Sequence, residues 1–379
     1  MANRCPYTGP SAARPSGGLL VPEPRGRDLE ATRQALARWL AARLPEAGRI
    51  ELSELAGPSD TGFSSDTLLF DARVVEPGGE RLERLVARLA PQGLTLFPRY
   101  DLAAQFRILE TLGRCTDVPV PRVRWLEADP APLGSPFYVM DRVEGRIPPD
   151  NPPMHLAGWV AELRAEERAR LWWNGIEVLC HIHRLDPFEL DLNFLDEPAR
   201  GEDPLAQELT VYEEMFAWGV PEPEKHPDIR RAFGWLRKMR PEGEPVGLCW
   251  GDSRLANMIF RDLECVAVLD WEMARLGNPL LDLAWWLASD RCLSEGLDAP
   301  RLQGLPGWQE TVAHWCGQTG RSAEQLEYYQ VLAIARFTVI MARVGLQLKH
   351  FGLLPADAEM DVDNFASRTL ARALAEVGA

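Results

Sequence analysis

The chain has 379 residues, 46% of them hydrophobic and 26% charged, so it can bury a substantial core and should form one large or two moderate domains. Its formal net charge of −15 argues against nucleic acid as the main partner, because phosphate binding requires a basic surface. We find no uninterrupted apolar stretch long enough to span a bilayer, so no membrane partner is expected. The seven cysteines lack C-x-x-C spacing, which favours a reducing, cytoplasmic location.

The first part of the chain is predicted to be rich in strands. Residues 1–25 contain many Pro, Gly, Ser and Ala residues, which predict a flexible tail. Helical spacing predicts a helix over residues 27–44, directly before Pro45. Apolar patterns and turn signals predict two strands within residues 51–75, further strands at 82–89, 123–126 and 136–140, and a helix at 102–112.

From residue 158 onward, helical patterns dominate and are interrupted by one predicted hairpin segment at residues 246–272. Strands with one helix, followed mainly by helices around a small sheet, indicate an α+β fold with two lobes. We place the N-lobe at residues 26–143 and the helical C-lobe at residues 144–379.

The hairpin segment carries three oxygen-bearing side chains at the ends of apolar runs. These runs predict short strands at residues 246–250, 258–260 and 265–269. Folding the last two strands about the polar turn between them brings Asn257 close to Asp270, with Asp252 on the loop just before. Such hard oxygen groups suit magnesium and a hydroxyl group, whereas zinc and redox metals prefer sulfur or imidazole ligands.

This stretch resembles the core motif of the aminoglycoside phosphotransferase family, small-molecule kinases with a protein-kinase-like fold. The matching residues are Gly251, Asp252, Asn257 and the segment Leu269-Asp270-Trp271-Glu272. The similarity runs from about Leu52 to the C-terminal helices. It is nearest to the branch that includes the kinase-like domains found with acyl-CoA dehydrogenases.

The resemblance implies a small, mainly β N-lobe, a larger helical C-lobe, and transfer of the γ-phosphoryl group of ATP or GTP to a hydroxyl. Asp252 would orient the attacking hydroxyl or accept its proton, because a carboxylate at the nucleophile recurs in phosphoryl transfer. Asn257 and Asp270 would bind the Mg²⁺ that bridges the nucleotide phosphates.

The resemblance also implies a nucleotide site in the N-lobe. The turn at residues 61–66 matches the family's phosphate loop, so the backbone and side chains of Gly62, Ser64 and Ser65 would contact phosphate oxygens. Asp141 and Val143 would offer backbone groups to the nucleobase, as a kinase hinge does.

Three positions depart from the family pattern. The first two hundred residues contain no Lys, so Arg88 is the candidate that replaces the phosphate-binding Lys of the third strand. Gln105 occupies the position of the Glu that pairs with that Lys, and it could still hydrogen-bond Arg88. Trp250 replaces a His, which removes any acid–base role for that position but leaves a ring with an N–H group.

Two further polar residues are interpreted as structural. Asp282 follows the Asn278-Pro279 helix start, where a carboxylate is favoured by unpaired backbone N–H groups. His181 and His183 are two residues apart and therefore point to different sides of a helix, which disfavours a metal site. His183 fits a structural helix position of the family.

Two other classes of protein remain open at this point. One is a nucleotide-binding kinase-like module with weak catalysis, suggested by the altered Arg88 and Gln105. The other is a Gly-Asp-Ser hydrolase with Ser253 as nucleophile, which would need a histidine base. The acceptor could be an aminoglycoside or other antibiotic, a hydroxyacyl-CoA or an amino alcohol, and the sequence does not choose between these or fix the oligomeric state.

Overall fold

The structure is a computed structural model that describes residues 27–57 and 66–379. The predicted tail at residues 1–25 and the predicted phosphate-loop residues Gly62, Ser64 and Ser65 lie outside the described residues.

The N-terminal region contains a five-stranded antiparallel sheet between two helices. Its elements are α1 (Leu29–Arg43), β1 (Arg49–Leu52), β2 (Asp66–Glu76), β3 (Gly79–Leu89), α2 (Leu102–Cys115), β4 (Val123–Glu127) and β5 (Phe137–Asp141). The strand order in the sheet is β1-β2-β3-β5-β4. The side chains of Asp28 and Asp101 accept backbone hydrogen bonds at the starts of α1 and α2. These bonds satisfy first-turn N–H groups that have no partner within the helix.

Side chains alternate between the two faces of the sheet along each strand, and the two faces pack into two different hydrophobic cores. On β3, Leu85, Ala87 and Leu89 pack in the same cluster as α1, whereas Val86 packs with α2 and the helical part of the molecule. Arg88 shares the parity of Val86, and alternate side chains of a strand lie on the same face. The position of Arg88 on the sheet therefore directs it toward the helical region.

The C-terminal region is mainly helical and contains two small two-stranded antiparallel sheets. Its elements are α3 (Trp159–Glu162), α4 (Ala165–Arg184), α5 (Pro204–Gly219), α6 (Pro227–Lys238), β6 (Gly247–Cys249), β7 (Met258–Arg261), β8 (Glu264–Val268), β9 (Arg275–Gly277), α7 (Leu280–Leu293), α8 (Trp308–Thr319), α9 (Leu326–His350) and α10 (Phe365–Glu376). The two-lobe α+β fold predicted from the sequence is confirmed.

Helix α9 forms the centre of the helical region and contacts α5, α6, α7 and α10. By length and composition it could cross a membrane, because an 18-residue window has a mean hydropathy of 1.6. Of that window, 94% is buried inside the protein, as in a core helix of a globular domain. Arg336 and Arg343 interrupt the apolar run of α9, which is why the sequence analysis found no uninterrupted apolar stretch of that length.

The predicted antiparallel hairpin is present as β7 and β8. Its turn residues Asp262 and Leu263 both have positive φ angles, 54° and 67°, as a tight two-residue hairpin turn requires. Strand β6 is also present, but it pairs with β9, a strand that the sequence analysis missed. This pairing places the loop after β6 beside the segment that follows Asp270.

Candidate active site

Asp252 is held through both of its carboxylate oxygens. Oδ1 accepts hydrogen bonds from Nε1 of Trp285 at 2.7 Å and from Nε of Arg254 at 3.0 Å. Oδ2 accepts one from Nδ2 of Asn257 at 2.7 Å. The side chain remains 13% exposed. Three donors therefore fix the carboxylate while one side of it stays accessible.

Asp282 fixes the backbone that carries Asp252. Its fully buried carboxylate accepts hydrogen bonds from the backbone N–H groups of Trp250 and Gly251, at 2.6 and 2.8 Å. Gly251 has a φ of 96°, and a Cβ there would lie 2.1 Å from the carbonyl oxygen of Met273. Only glycine fits this close approach. The structural interpretation of Asp282 agrees with these contacts.

A chain of buried rings supports Asp282. Nε1 of Trp315 donates to Nδ1 of His183 at 2.8 Å, and Nε2 of His183 lies 3.1 Å from Oδ2 of Asp282. Because an indole N–H can only donate, Nδ1 of His183 is the acceptor and Nε2 carries the proton. His183 thus orients Asp282 and has the structural position expected from the sequence.

Arg336 of the central helix α9 contacts the same loop, which carries Asp252. It is fully buried, donates from Nη2 to the carbonyl of Gly251 at 3.1 Å, and pairs with Glu208 at 2.8 Å. Its guanidinium lies over the ring of Trp285, 4.6 Å from the centroid. Burial alone would lower the pKa of Arg336, but the charge of Glu208 raises it. The arginine therefore stays charged in the core.

Asn257 and Asp270 lie next to each other, as the hairpin predicted. The backbone N–H of Leu269 donates to the carbonyl of Asn257 at 2.9 Å. The indole N–H of Trp250 donates to the carbonyl of Leu269 at 2.8 Å. This hydrogen bond joins the loop that carries Asp252 to the segment that carries Asp270. Asp270 has left-handed backbone angles, φ 60° and ψ 61°, which a non-glycine residue adopts only where the surrounding structure holds it.

Arg88 crosses from the sheet to the hairpin and pairs with Asp270. Its Nη2 lies 2.7 Å from Oδ1 of Asp270 and 3.9 Å from Oε2 of Glu272. Burial alone would lower the pKa of Arg88, but the two carboxylates raise it. Buried Gln105, which the sequence left as a possible partner of Arg88, accepts a hydrogen bond from the Tyr138 hydroxyl at 3.5 Å.

A cavity of about 780 Å³ lies between the sheet and the hairpin. Five of the residues predicted for nucleotide or metal binding line it: Arg88, Asp141, Val143, Asn257 and Asp270. Pockets for cofactors and small molecules occupy roughly 300–1,000 Å³, so the volume is sufficient for a nucleotide. The Asp141 carboxylate is paired with Arg124 at 2.5 Å, and its backbone N–H donates to the carbonyl of Arg122 at 2.9 Å, so neither of these two groups is free for a base.

The hydrolase alternative is contradicted by the position of Ser253. This residue is fully buried, and its hydroxyl donates to the backbone carbonyl of Asp282 at 2.7 Å. A serine nucleophile needs an exposed hydroxyl paired with a histidine base. Ser253 has a structural role in the loop instead.

The fold and the site define a phosphotransferase of the kinase-like type. A model of the phosphotransferase enzyme family, APH, matches residues 62–314, and the chain belongs to this family. Its members include small-molecule kinases that phosphorylate a hydroxyl group, which places the protein in that class of enzyme.

Relatives and solved structures agree with the family. Acyl-CoA dehydrogenase family member 10 of Mus musculus is 29% identical over 272 residues, which cover 69% of this chain and 24% of that protein. An aminoglycoside phosphotransferase homologue from Ralstonia eutropha has a TM-score of 0.63 at 20% identity, covering 90% of this chain and 95% of its own. A thermostable mutant of aminoglycoside phosphotransferase APH(4)-Ia, in ternary complex with AMP-PNP and hygromycin B, has a TM-score of 0.53 at 15% identity, covering 89% and 98%. The chain spans between 24% and 39% of the length of the curated relatives it matches.

The sequence analysis missed several residues that surround Asp252. Arg254 bridges Asp252 and Asp150, with a distance of 2.6 Å between its Nη1 and Oδ2 of Asp150. Trp285 and Arg336 reach the loop from helices that are distant in sequence. Only Arg254 had a sequence signal, because it lies two residues after Asp252 in the motif.

Proposed function

We propose that the protein transfers the γ-phosphoryl group of ATP or GTP to a hydroxyl group of a small molecule in a magnesium-dependent reaction. The observation that carries this proposal is the placement of Asp252, whose carboxylate is fixed by three donors beside Asn257 and Asp270. Phosphoryl transfer depends chiefly on positioning and charge neutralisation, which such an arrangement supplies.

In the proposed reaction, Asp252 orients the acceptor hydroxyl and takes its proton. The hydroxyl oxygen forms a bond to the γ-phosphorus as the bond from that phosphorus to the β-bridging oxygen breaks. The products are the phosphorylated acceptor and ADP or GDP. The hydrogen bonds from Trp285 and Asn257 keep the carboxylate in one orientation, so little reorganisation is needed during the step.

The residues beside Asp252 fit Mg²⁺. Nδ2 of Asn257 is used in hydrogen bonds to Asp252, so its amide oxygen is the atom left for a metal. Asp270 would supply a carboxylate oxygen, and these are the hard ligands that Mg²⁺ takes together with nucleotide phosphates. When bound, Mg²⁺ neutralises charge on the phosphates. Among the described residues no cluster of three or more His, Cys, Asp or Glu is arranged for a metal, so the nucleotide itself would complete the site.

The nucleotide would occupy the large cavity. Arg88 is the charged group of the N-lobe that would contact the phosphates, after exchange of its bond with Asp270. The backbone at Asp141 and Val143 lines the same cavity and would contact the base. The predicted phosphate-loop residues Gly62, Ser64 and Ser65 belong to this proposal on the grounds of the family resemblance alone.

The acceptor candidates are an aminoglycoside or other antibiotic, a hydroxyacyl-CoA and an amino alcohol. The names of the curated relatives, acyl-CoA dehydrogenase family members, favour the hydroxyacyl-CoA. The ternary complex of the structural neighbour with hygromycin B supports a small hydroxyl compound in general. We also propose a cytoplasmic location, which the scattered cysteines favour.

The second candidate is a nucleotide-binding module with weak catalysis. The exchange of the usual Lys-Glu pair for Arg88 and Gln105 favours it, since Gln105 contacts Tyr138 rather than Arg88. The three hydrogen bonds that orient the Asp252 carboxylate favour an active enzyme. A module that only binds nucleotide does not require an oriented base.

Product mass and nucleotide consumption with a panel of hydroxyl compounds test the proposal. In Asp252→Asn, we expect kcat to fall about 100- to 10,000-fold, the range for loss of a general base. Asp262→Asn is the matched control, since Asp262 lies in the exposed hairpin turn and asparagine tolerates its positive φ.

Undiminished phosphorylation by Asp252→Asn would overturn the role of Asp252. If the wild type binds ATP or GTP with magnesium but phosphorylates no compound of the panel, the module with weak catalysis becomes the better description.

A further inference from the structure

Glu208 of α5 lies in the core and pairs with two arginines from different elements. Its side chain is 2% exposed, Oε1 lies 2.8 Å from Nε of Arg336, and Oε2 pairs with Nη1 of Arg275. Arg336 belongs to α9 and Arg275 to β9. A charge in the core is costly unless it has such partners. One buried carboxylate of α5 therefore joins two elements that are distant in sequence.

Arg336 extends from Glu208 to the loop that carries Asp252. Its Nη2 donates to the carbonyl of Gly251 at 3.1 Å, and its guanidinium lies 4.6 Å from the centroid of the Trp285 ring. The indole N–H of Trp285 in turn donates to Asp252 at 2.7 Å. Arg336 thus contacts both the backbone before Asp252 and one of the side chains that orient its carboxylate.

Arg275 extends from Glu208 to the segment that follows Asp270. Its Nε donates to the carbonyl of Met273 at 3.3 Å. Met273 ends the short helical turn Trp271–Met273, which begins directly after Asp270. Because Asp270 has left-handed backbone angles, it keeps its conformation only where neighbouring contacts hold the chain. The bond from Arg275 is one of these contacts.

The two segments that the arginines contact also lie against each other. Strands β6 and β9 pair with Cys249 opposite Arg275. A Cβ at Gly251 would lie 2.1 Å from the carbonyl oxygen of Met273, the oxygen that Arg275 binds. The carbonyl of Gly251 is in turn bound by Arg336. A shift of either arginine would therefore change the spacing between the two segments.

This spacing matters for the proposed phosphoryl transfer. Asp252 would hold the acceptor hydroxyl, and Asp270 would hold the metal on the nucleotide phosphates. The distance between their two segments then sets how closely the hydroxyl oxygen meets the γ-phosphorus. A misplacement of about 1 Å can cost on the order of 100-fold in rate.

We propose that Glu208 is a positioning residue, which sets the spacing between the segments of Asp252 and Asp270 through Arg336 and Arg275. The inference rests on the proposed kinase function. It assigns a role in that reaction to a core residue that does not line the large cavity.

The test separates the two arginines by two measured quantities. One is kcat for the compound of the hydroxyl panel that the wild type phosphorylates, and the other is the dissociation constant of Mg·ADP from calorimetry. Arg336→Met releases the Asp252 side, so kcat should fall about 10- to 100-fold while Mg·ADP binds as before.

Arg275→Met releases the Asp270 side, so the dissociation constant of Mg·ADP should rise about 10-fold, the lower end of the range for loss of an outer partner of a metal site. Glu208→Gln keeps the shape of the side chain but removes its charge, and it should show both changes. If Glu208→Gln does not fold, the double variant Glu208→Gln/Arg336→Met also removes the buried charge left without a partner, and it should fold with the low kcat of Arg336→Met.

Asp361→Asn is the matched control, because Asp361 is also buried and pairs with a cation of α9, Lys349, at 2.5 Å. It should lower the melting temperature, followed by circular dichroism, while kcat and the dissociation constant stay the same. This result separates a loss of packing from a loss of positioning.

Unchanged kcat and unchanged Mg·ADP binding in folded Glu208→Gln would overturn the inference. The same pattern of change in Arg336→Met and Arg275→Met would also overturn it, because a general loss of packing predicts no difference between them. If the wild type binds Mg·ADP but phosphorylates no compound of the panel, the kinase function is contradicted, whereas the comparison of Mg·ADP binding between the two arginine variants still decides the role of Glu208.

Discussion

The loop that carries Asp252 and the strand that carries Arg88 differ in how their functional side chains are held. Asp252 receives hydrogen bonds from three side chains, and Asp282 and Arg336 fix the backbone before it. Among the described residues, the carboxylate partners of Arg88 lie across the cavity, and Asp270 at 2.7 Å is nearer than Glu272 at 3.9 Å.

This difference would separate two tasks in the proposed reaction, which are proton transfer at Asp252 and phosphate binding at Arg88. The base must keep one orientation throughout the reaction, so support from the rigid helical core is useful. Arg88, the proposed phosphate-binding group, would have to change partner when the nucleotide arrives, and ion pairs across a cavity are easier to exchange than a network of buried hydrogen bonds. Substitutions around Asp252 should therefore affect stability or kcat, whereas substitution of Arg88 should affect nucleotide binding.

The largest expected effect is on stability, from Asp282→Ala. This change leaves the N–H groups of Trp250 and Gly251 and the ring of His183 without their buried acceptor. We expect the free energy of unfolding, measured by urea titration, to fall by about 3–5 kcal/mol, as for loss of one member of a buried charged network.

Asp228→Ala is its control, since Asp228 is also a first-turn carboxylate but is not buried, where the expected loss is below about 1 kcal/mol. Equal losses in the two variants would mean that Asp282 does not support the loop.

Arg88→Met should weaken nucleotide binding about 10- to 100-fold, the range for removal of a charged hydrogen bond. The dissociation constant of Mg·ADP is the quantity to measure, by calorimetry. Arg88→Lys should recover part of the affinity, because the charge returns without the planar fork. Arg84→Met on the same strand is the control, since Arg84 is exposed and pairs with Glu144. Unchanged affinity in Arg88→Met would show that the phosphates are gripped elsewhere.

The smallest effect is expected from Trp285→Phe, which removes one of the three donors to Asp252. We expect kcat to fall only about 3- to 10-fold, because the other two donors, Arg254 and Asn257, still hold the carboxylate, while the KM for nucleotide stays the same. Trp39→Phe is the matched control, as its indole N–H also donates to a carboxylate, that of Glu127, at 2.7 Å. A change in KM alone would indicate a role in binding rather than in positioning the base.

The motif residues that are close in sequence were predictable, and those that meet through packing were not. Asn257 and Asp270 could be placed together because one hairpin joins them, and its strands have a clear apolar pattern. Strand β9 has only three residues, too few for a pattern to appear. Trp285 and Arg336 reach the loop across 33 and 85 residues, a proximity that only the packing of α7 and α9 creates.

The partner of Gln105 could not be predicted for a related reason. In the sequence it matches the position of a residue that pairs with the third-strand cation, so a bond to Arg88 was possible but not fixed. In the structure Asp270 binds that cation and Tyr138 binds Gln105. The choice between partners depends on which acceptor carries charge, and an ionised carboxylate attracts a guanidinium more strongly than an amide does.

The burial of α9 also has a consequence for the order in which the molecule is assembled. Ribosomes release a chain from its N-terminus, so the sheet and the hairpin emerge before residues 326–350. Before α9 has emerged, the carbonyl of Gly251 lacks its hydrogen bond from Arg336. The apolar side of α7 that packs against α9 is also uncovered at that stage. We expect nascent chains that end before α9 to depend on chaperones, since exposed apolar surface promotes aggregation. Active-site assembly would then be among the last events of folding, although the catalytic motif is synthesised well before.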